Sequence, residues 1–368
     1  MTILQQRFLE LLSAAIWQRP ANESLFLEMN EAQWKTLAYN STKQRVNALI
    51  VDGINTLPAH CLPPRSVLLS LMLQTEKIER ENLRIDQAVV QLHREHEAEN
   101  LPFVLLKGQG NALFYPVPRH RTPGDIDLLF YRPSDYERAN SRVQAPLDKE
   151  NGFHISYERD GIHIENHYLL TRFHSSKQDR RLSRELDDII RNDRFALAEI
   201  EGTSVRVLPA GFNDFYVFAH LFRHFVFIGV GIRQVCDWLL MLRAHREQID
   251  RDRFTERAAA FGLLKPMRAF AHAAITYLGA SPDLFPFDLG KAMPHSRFIM
   301  EDILKGGSFG LHNPNIKLRK SAWGARLERY KLSARRSLHI LTLSPGYCLR
   351  LFSAGLFTRL RLTLLGEK

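Results

Sequence analysis

Between residues 101 and 207 the sequence leaves the helical periodicity of its flanks, and this change constrains the fold most strongly. Residues 102–107 (PFVLLK) form a short apolar run, followed by a glycine-containing turn that leads into a helix. A second strand, DIDLLFY, follows a loop rich in proline and arginine. Residues 153–157 and 162–169 alternate apolar with polar side chains on both sides of a turn, which predicts a β-hairpin. Strand, helix, strand and hairpin together indicate a compact mixed α/β unit.

Both flanks of this unit are predicted to be helical. Residues 66–99 read as one long periodic helix, and the segment after residue 208 contains two helices separated at Gly229-Val230-Gly231. The expected fold class is therefore α+β, with a small mixed-sheet core flanked by N-terminal and C-terminal helical regions. The expected domains are an N-terminal helical region (1–100), the α/β core (101–207) and a C-terminal helical domain with a basic tail (208–368).

Composition narrows the class of protein. With 45% hydrophobic and 24% charged residues, the 368-residue chain is typical of a globular rather than a disordered protein. Its three cysteines are far apart and lack CxxC spacing, so they predict neither a disulfide framework nor a zinc knuckle. No apolar run reaches the roughly 18 residues of a spanning helix, and the N-terminus has the spacing of an amphipathic helix rather than a secretory signal. We expect a cytoplasmic protein without a transmembrane segment.

The charge balance points to polyanionic partners. The formal net charge is +10, which favours nucleotides, RNA or a membrane surface without choosing among them. Residues 317–368 are rich in arginine and lysine. They can form an electrostatic footprint for RNA, a solubilising surface or an amphipathic face for anionic lipid. The arginines considered for RNA contact are Arg326, Arg329, Arg335 and Arg336.

The motif with the clearest chemistry is the pair Asp125 and Asp127. Because side chains alternate along a strand, both carboxylates point to one face while Ile126 and Leu128 point to the other. Adjacent carboxylates repel, and a divalent cation removes the repulsion. Oxygen ligands suit Mg²⁺, whose coordination is completed by substrate phosphates. Phosphoryl and nucleotidyl transfer use this arrangement, with two metal ions about 3.5–4 Å apart clamping the attacking and leaving oxygens.

Basic residues upstream of the pair fit a phosphate ligand. Lys107 and Gly108 occupy the point where a strand turns into a helix, where backbone N–H groups and the helix dipole can hold a phosphate. Arg119 and Arg121 lie in the intervening loop and can reach triphosphate oxygens in bidentate fashion. A capped turn, the alternative explanation of the aspartates, does not account for these neighbours.

Downstream, the second hairpin strand offers His163, Glu165 and His167 on one face, so Glu165 can complete a carboxylate triad. The two histidines are about 13 Å apart at roughly 3.3 Å per residue, too far to bind one metal together, but either can touch substrate. His220 and His224 are four apart on a helix and could pair as ligands. No third ligand follows at a recognisable spacing, so we expect core or supporting histidines there.

These motifs together resemble a known family. The stretch LLKGQGNALFYPVPRHRTPGDIDLLF is similar to the signature of the bacterial "uncharacterised nucleotidyltransferase" family, a branch of the DNA polymerase β-like superfamily. The resemblance continues at GIHIENHYLL, where the family has a third acidic residue, and at HLFRHFVFIGVGIRQVCDWLLML. It covers roughly residues 65–245.

The resemblance implies a nucleotidyltransferase core that uses Mg²⁺ or Mn²⁺ as cofactor and an NTP as substrate. By this resemblance Asp125 and Asp127 bind metal, and Glu165 is the third ligand or the base for the acceptor hydroxyl. Lys107 and Gly108 would contact the nucleotide phosphates.

Two further points concern the nucleotide pocket. Arg233 and Asp237, four residues apart, most simply form an intrahelical ion pair, whereas the resemblance implies that their helix lines the pocket. The wider superfamily typically has Gly-Ser at the helix start, but here Gly108 is followed by Gln109. The phosphate contact must therefore rest on Lys107, the arginines or backbone amides.

The predicted function is metal-dependent transfer of an NMP from an NTP to a hydroxyl acceptor, with release of pyrophosphate. The site is expected in the cleft between the sheet and the C-terminal helices. One alternative is a catalytically degenerate nucleotide- or RNA-binding module, which the missing serine and the basic tail favour. Another is a toxin or defence-type protein acting on tRNA or a partner protein. The residues do not select the NTP or the acceptor, which can be a small molecule, a protein or RNA.

Overall fold

The computed structural model describes residues 1–147, 154–308, 334, 336 and 338–350. Within these ranges the order of elements agrees with the sequence analysis, with helical regions at both ends and the strands between them. The strands are β1 (Val104–Leu106), β2 (Ile126–Leu129), β3 (His154–Arg159), β4 (Ile162–His167), β5 (Ala196–Ile200) and β6 (Thr203–Val207). The helices are α1 (Ile3–Trp17), α2 (Glu31–Gln44), α3 (Asn47–Ile54), α4 (Arg65–Ala98), α5 (Gly108–Ala112), α6 (Pro133–Asn140), α7 (Ser176–Arg191), α8 (Phe212–Phe227), α9 (Ile232–Ala244), α10 (Arg251–Ala260), α11 (Leu264–Leu278) and α12 (His295–Gly306).

The strands form one mixed sheet in the order β3-β4-β2-β1-β6-β5. Neighbouring strands are antiparallel except for the parallel pairs β2–β4 and β1–β6. Strand β2 therefore lies near the centre, and its Asp127 is in register with Leu106 of β1 and Glu165 of β4. The α+β fold, with a mixed-sheet core between two helical regions, is confirmed.

Side chains of the central strands point alternately to the two faces of the sheet, and each face packs against a different hydrophobic core. Ile126 and Leu128 of β2 pack with Ile85 and Val89 of α4 in one hydrophobic core. Leu106 of β1 belongs instead to a larger core that includes the apolar side chains of α8 and α9. Since residues two apart on a strand share a face, the side chains of Asp125 and Asp127 are placed on the α8–α9 side.

The N-terminal and C-terminal helices share that larger core. Leu11 and Leu12 of α1 are fully buried in it. At one end of α1, Ser13 Oγ and Trp17 Nε1 both donate hydrogen bonds to the carbonyl of Leu278 in α11, at 2.7 and 2.6 Å. The two helical regions pack on one another, and the division into three domains stays a prediction.

The sheet is wider than the predicted unit of strand, helix, strand and hairpin. The hairpin of β5 and β6, which follows α7 in the chain, extends it, with Leu105 of β1 paired in parallel with Val207 of β6. Glu201 and Gly202, both at positive φ, form the turn between β5 and β6. In the described part of the chain, none of the helices is both long and apolar enough to cross a membrane.

Candidate active site

Three carboxylates meet on the α8–α9 side of the sheet. Asp127 in β2 lies beside Glu165 in β4 because the two strands run parallel in that register, and Asp125 directly precedes β2. One oxygen of each carboxylate lies within 4.8 Å of the other two. Asp125 is exposed, Asp127 is buried and Glu165 is half-buried. A set of oxygen donors open on one side suits Mg²⁺ or Mn²⁺ that keeps positions for substrate.

Two basic side chains compensate the buried carboxylates. Lys107 Nζ lies 3.1 Å from Asp127 Oδ1. His167 Nε2 lies 2.8 Å from the same oxygen and 3.1 Å from Glu165 Oε2. Burial would raise the pKa of Asp127, but the charge of Lys107 and the hydrogen bond of His167 outweigh it and hold that pKa below its usual value. Burial would also raise the pKa of Glu165, but the hydrogen bond from His167 outweighs burial, and the pKa of Glu165 is lowered as well. Both carboxylates are therefore ionised at neutral pH.

The turn after β1 positions Lys107. Lys107 has φ +50° and Gly108 has φ +40°, and α5 begins at Gly108. A Cβ at position 108 would lie 3.3 Å from the carbonyl oxygen of Asp125, so only glycine fits without displacing the loop that bears the aspartate. The positive φ of Lys107 is costly for a non-glycine residue, and its buried ion pair with Asp127 helps to hold this conformation.

A cavity of about 450 Å³ separates these residues from helices α8 and α9. This volume falls within the roughly 300–1,000 Å³ common for small-molecule sites. The sheet side of the cavity is acidic, and the helical side carries histidines and arginines. Its lining includes Lys107, Gly108, Asn111, Arg121, Asp125, Asp127, His154, Glu165, His167, Tyr216, His220, His224, Arg233 and Asp237.

Arg121 and Asp237 form a buried ion pair that joins the loop before β2 to helix α9 beside the cavity. Arg121 donates to Asp237 through Nε at 2.8 Å and Nη2 at 3.0 Å, and the hydroxyl of Tyr115 donates to Asp237 Oδ1 at 2.6 Å. Arg233 donates instead to the carbonyl of Thr122 at 2.9 Å. The partner of Asp237 is therefore Arg121 rather than the simpler intrahelical choice, and α9 lines the cavity as the resemblance implied.

The two arginines retain unused donors. In the described part of the chain, Arg121 Nη1 and Arg233 Nε are buried and lack a hydrogen-bond partner. Burial and the neighbouring charge of Arg121 lower the pKa of Arg233 to about 10, so the guanidinium is still charged at neutral pH. Unpaired buried charged donors are costly, and both arginines also line the cavity.

Comparison with known proteins decides the family. A family model described as "Uncharacterised nucleotidyltransferase" matches residues 30–279. The chain belongs to this family. The match spans α2 to α11 and so includes the whole sheet and the cavity. No curated protein and no solved structure matches the chain. Membership supports nucleotidyl transfer in general terms, and it implies an NTP substrate.

The structure does not bring every predicted site residue to the cavity. Arg119 pairs with Glu201 at 2.8 Å and lines a separate pocket between α4 and the β5–β6 turn. Asn82 of α4 donates to the carbonyls of Arg119 and Arg121 at 2.8 and 2.9 Å. These hydrogen bonds hold the backbone of the loop, and from it the side chain of Arg119 reaches Glu201 while that of Arg121 reaches Asp237. The predicted contact of Arg119 with triphosphate oxygens does not agree with its position.

The hairpin of β3 and β4 brings to the cavity a residue that the sequence analysis missed. His163 is 40% exposed and does not line the cavity, whereas His154 does. His154 pairs across the hairpin with His167. The turn at Asp160 and Gly161, which follows the pairing of residues 159 and 162, determines this register. That turn was visible in the sequence, so counting back from it would have found His154.

His220 and His224 of α8 also line the cavity, with ring centroids 4.3 Å apart. Burial lowers the pKa of His220 well below its usual value and that of His224 to about 4. Both imidazoles are therefore neutral at physiological pH and add hydrogen-bonding groups rather than charge. The expectation of supporting histidines agrees with their burial, although their place in the cavity wall was not predicted.

Only one of the four C-terminal arginines considered for RNA contact is described. Arg336 is buried and pairs with Asp302 of α12 through Nε at 2.9 Å and Nη2 at 3.3 Å. Its guanidinium also lies 5.8 Å from the ring centroid of Phe225. A buried, paired arginine cannot serve as an RNA-binding surface, so this part of the prediction is wrong. Arg326, Arg329 and Arg335 lie outside the described residues.

Proposed function

We propose that the protein transfers a nucleoside monophosphate from an NTP to a hydroxyl acceptor and releases pyrophosphate. The observation that carries this proposal is the convergence of Asp125, Asp127 and Glu165 in a cavity that Arg121 and Arg233 also line. Carboxylates and cationic side chains that line one cavity match a metal–triphosphate complex. The family match supports the same class of reaction.

Asp125, Asp127 and Glu165 are the residues that would hold Mg²⁺ or Mn²⁺. The donor set fits, because all three ligands are carboxylate oxygens within 4.8 Å of one another and the buried pair is ionised at neutral pH. A divalent ion bound there supplies charge neutralisation at the reacting phosphate and orients the attacking and leaving oxygens.

Lys107, Arg121 and Arg233 would neutralise the triphosphate. Lys107 lies in the cavity beside Asp127, and the two arginines each have a buried N–H group without a partner in the described part of the chain. Gln109, which replaces the superfamily's serine, is buried and donates to Asp86 away from the cavity lining. Phosphate recognition would therefore depend on these three cations and on backbone amides.

In the proposed step the acceptor oxygen attacks the α-phosphorus of the NTP. A new P–O bond forms, the bond from the α-phosphorus to the α–β bridging oxygen breaks, and pyrophosphate leaves with that electron pair. The acceptor proton passes to Glu165, which is half-buried in the cavity. Positioning and charge stabilisation would supply most of the rate enhancement in such a site.

Pyrophosphate release tests the proposal. The four NTPs are incubated with protein and Mg²⁺ or Mn²⁺, with total tRNA and cell extract as acceptor pools. Asp125→Asn is the diagnostic variant because Asp125 is exposed and its replacement is isosteric. Asp160→Asn, at the exposed hairpin turn, is the matched control. We expect a loss of roughly 10²-fold or more in Asp125→Asn and none in Asp160→Asn. Nucleotide binding without metal-dependent pyrophosphate release in the wild type would favour the binding-module alternative, and turnover that Asp125→Asn leaves unchanged would show that the carboxylates are not the catalytic site.

A further inference from the structure

A second group of metal-ligand side chains lies in the same cavity and contains nitrogen donors. His154, Glu165 and His167 each place one donor atom within 4.8 Å of the other two. His154 Nε2 is 3.5 Å from Glu165 Oε1, and His167 Nε2 is 3.1 Å from Glu165 Oε2. The imidazole rings of His154 and His167 have centroids 4.8 Å apart. Both histidines thus approach one carboxylate, each at a different oxygen.

The hairpin builds this group on rigid backbone. The β3–β4 pairing sets His154 directly opposite His167, and Glu165 is two residues before His167 on the same face of β4. His167 is buried, with its Nε2 between the oxygens of Asp127 and Glu165. Its Nδ1 is also buried and has no hydrogen-bond partner among the described residues. Without a metal its Nε2 is hydrogen-bonded to both carboxylates, so ligation through Nε2 requires that the metal ion's positive charge displace the Nε2 proton.

The donor chemistry separates this group from the carboxylate triad. Mg²⁺ prefers oxygen ligands in octahedral geometry, and the triad of Asp125, Asp127 and Glu165 satisfies that preference. Two imidazole nitrogens with one carboxylate suit a divalent first-row transition metal ion. We infer that His154, Glu165 and His167 form a nitrogen-containing site for such an ion, and that Glu165 is shared between this site and the triad.

Sharing Glu165 has a chemical consequence. One carboxylate oxygen lies nearest His154 and the other nearest His167, and Glu165 belongs to both groups of donor atoms. The inference deepens the proposed function by assigning a second metal preference to the same cavity. Binding at the nitrogen-containing site needs neither an NTP nor turnover, so it can be measured separately.

Electron paramagnetic resonance of bound Mn²⁺ tests the site. Substoichiometric Mn²⁺ is added to the full chain without nucleotide, and spin-echo modulation reports ¹⁴N nuclei coordinated to the ion. We expect ¹⁴N modulation in the wild type, and Mg²⁺ in large excess should not displace the ion. In His154→Asn the Mn²⁺ affinity should fall by about tenfold or more and the ¹⁴N modulation should weaken. His154→Gln, with a longer amide, is a second variant of the same position.

His163→Asn is the matched control. His163 Nε2 is also 3.5 Å from Glu165 Oε1, but this histidine is more exposed and lies outside the cavity. Its substitution should leave both Mn²⁺ affinity and ¹⁴N modulation unchanged. Wild-type Mn²⁺ without ¹⁴N modulation would overturn the inference. So would wild-type affinity in both folded His154 variants.

The outcome is distinguishable from failure of the proposed function. Asp125→Asn removes a ligand of the carboxylate triad only, so it should abolish pyrophosphate release while ¹⁴N modulation persists. If the wild type shows ¹⁴N modulation but no NTP turnover, the metal site stands and the proposed reaction falls. If turnover depends on Asp125 but ¹⁴N modulation is absent, the reaction stands and the nitrogen-containing site falls.

Discussion

Arg121 and Asp237 are 116 positions apart in the sequence and form a bidentate ion pair, with N–O distances of 2.8 and 3.0 Å. The pair joins the loop before β2 to helix α9, and both side chains are almost completely buried. It therefore connects the segment that bears Asp125 to the opposite wall of the cavity. Its integrity should matter for the stability of the whole fold.

Removing one partner of this pair should destabilise the protein strongly. Arg121→Met leaves Asp237 charged and buried, and we expect a loss of roughly 3–5 kcal/mol in the free energy of unfolding. Arg121→Met with Asp237→Leu should recover part of that loss, because Asp237 is no longer an uncompensated charge, while Tyr115 and Arg233 lose their acidic neighbour. Urea unfolding measures both. Lys35→Ala, which breaks the exposed pair of Lys35 with Glu31, is the control and should cost less than about 1 kcal/mol. An Arg121→Met variant as stable as the control would contradict this account.

The acidic limb of the pH–rate profile should depend on Lys107. Although burial opposes it, the charge of Lys107 holds the pKa of Asp127 below its usual value, so Asp127 is ionised even under mildly acidic conditions. Lys107→Met removes that charge and should raise the pKa of Asp127. Activity should then be lost at a higher pH on the acidic side, while Lys107→Arg, which keeps the charge, should move the limb much less. The pH dependence of kcat/KM for pyrophosphate release measures this shift. An acidic limb that stays in place in Lys107→Met would argue against the pairing.

Of Arg119 and Arg233, only Arg233 should contribute to nucleotide affinity. Arg119→Ala should leave NTP affinity unchanged and alter stability by no more than about 0.5 kcal/mol, because Arg119 pairs with Glu201 outside the cavity. Arg233→Ala removes a buried cation from the cavity wall and should weaken NTP binding by about tenfold or more. Fluorescence titration with a labelled NTP compares the two. Equal losses in both variants would show that the loop rearranges on binding.

His120 should make stability depend on pH. Its Nδ1 is 2.8 Å from Asp52 Oδ2 and its Nε2 is 2.9 Å from Glu79 Oε1, so it connects α3 to α4. Burial lowers the pKa of His120, but hydrogen bonds first to Asp52 and then to Glu79 outweigh burial and raise it.

Because the folded-state pKa of His120 exceeds the unfolded value of roughly 6.5, its stabilisation is complete below that pH. The stabilisation is lost as pH rises through the folded-state pKa. His120→Gln should therefore destabilise the protein more at acidic than at alkaline pH, as measured by urea unfolding at both. An equal loss at the two pH values would indicate that His120 is neutral in the fold.

Local patterns predicted the strand faces on which the three carboxylates lie. The alternation in DIDLL put Asp125 and Asp127 on one face, and the hairpin alternation put Glu165 on a face opposite to Ile162 and Ile164. What brings Glu165 to Asp127 is the parallel pairing of β2 with β4, a long-range contact that no local pattern contains. The family resemblance supplied that link.

Tertiary contacts explain the parts that were not predicted. The hydrogen bonds from Asn82 to the carbonyls of Arg119 and Arg121 depend on how α4 packs beside the loop. Periodicity predicted α4 but not which of its faces is covered. Leu69 and Leu73 are 50% and 65% exposed, because α2 and α3 cover only the neighbouring stripe that includes Leu71.

Following the label of a radioactive NTP tests the central claim most directly. Parallel reactions use the same NTP labelled either at the α-phosphorus or at the γ-phosphorus, with Mg²⁺ and the acceptor pools. We expect the α label to appear in an acceptor, the γ label to appear in pyrophosphate, and both signals to vanish in Asp125→Asn but persist in Asp160→Asn. Transfer of the γ label to an acceptor, or α-label transfer that survives in Asp125→Asn, would contradict nucleotidyl transfer at this site.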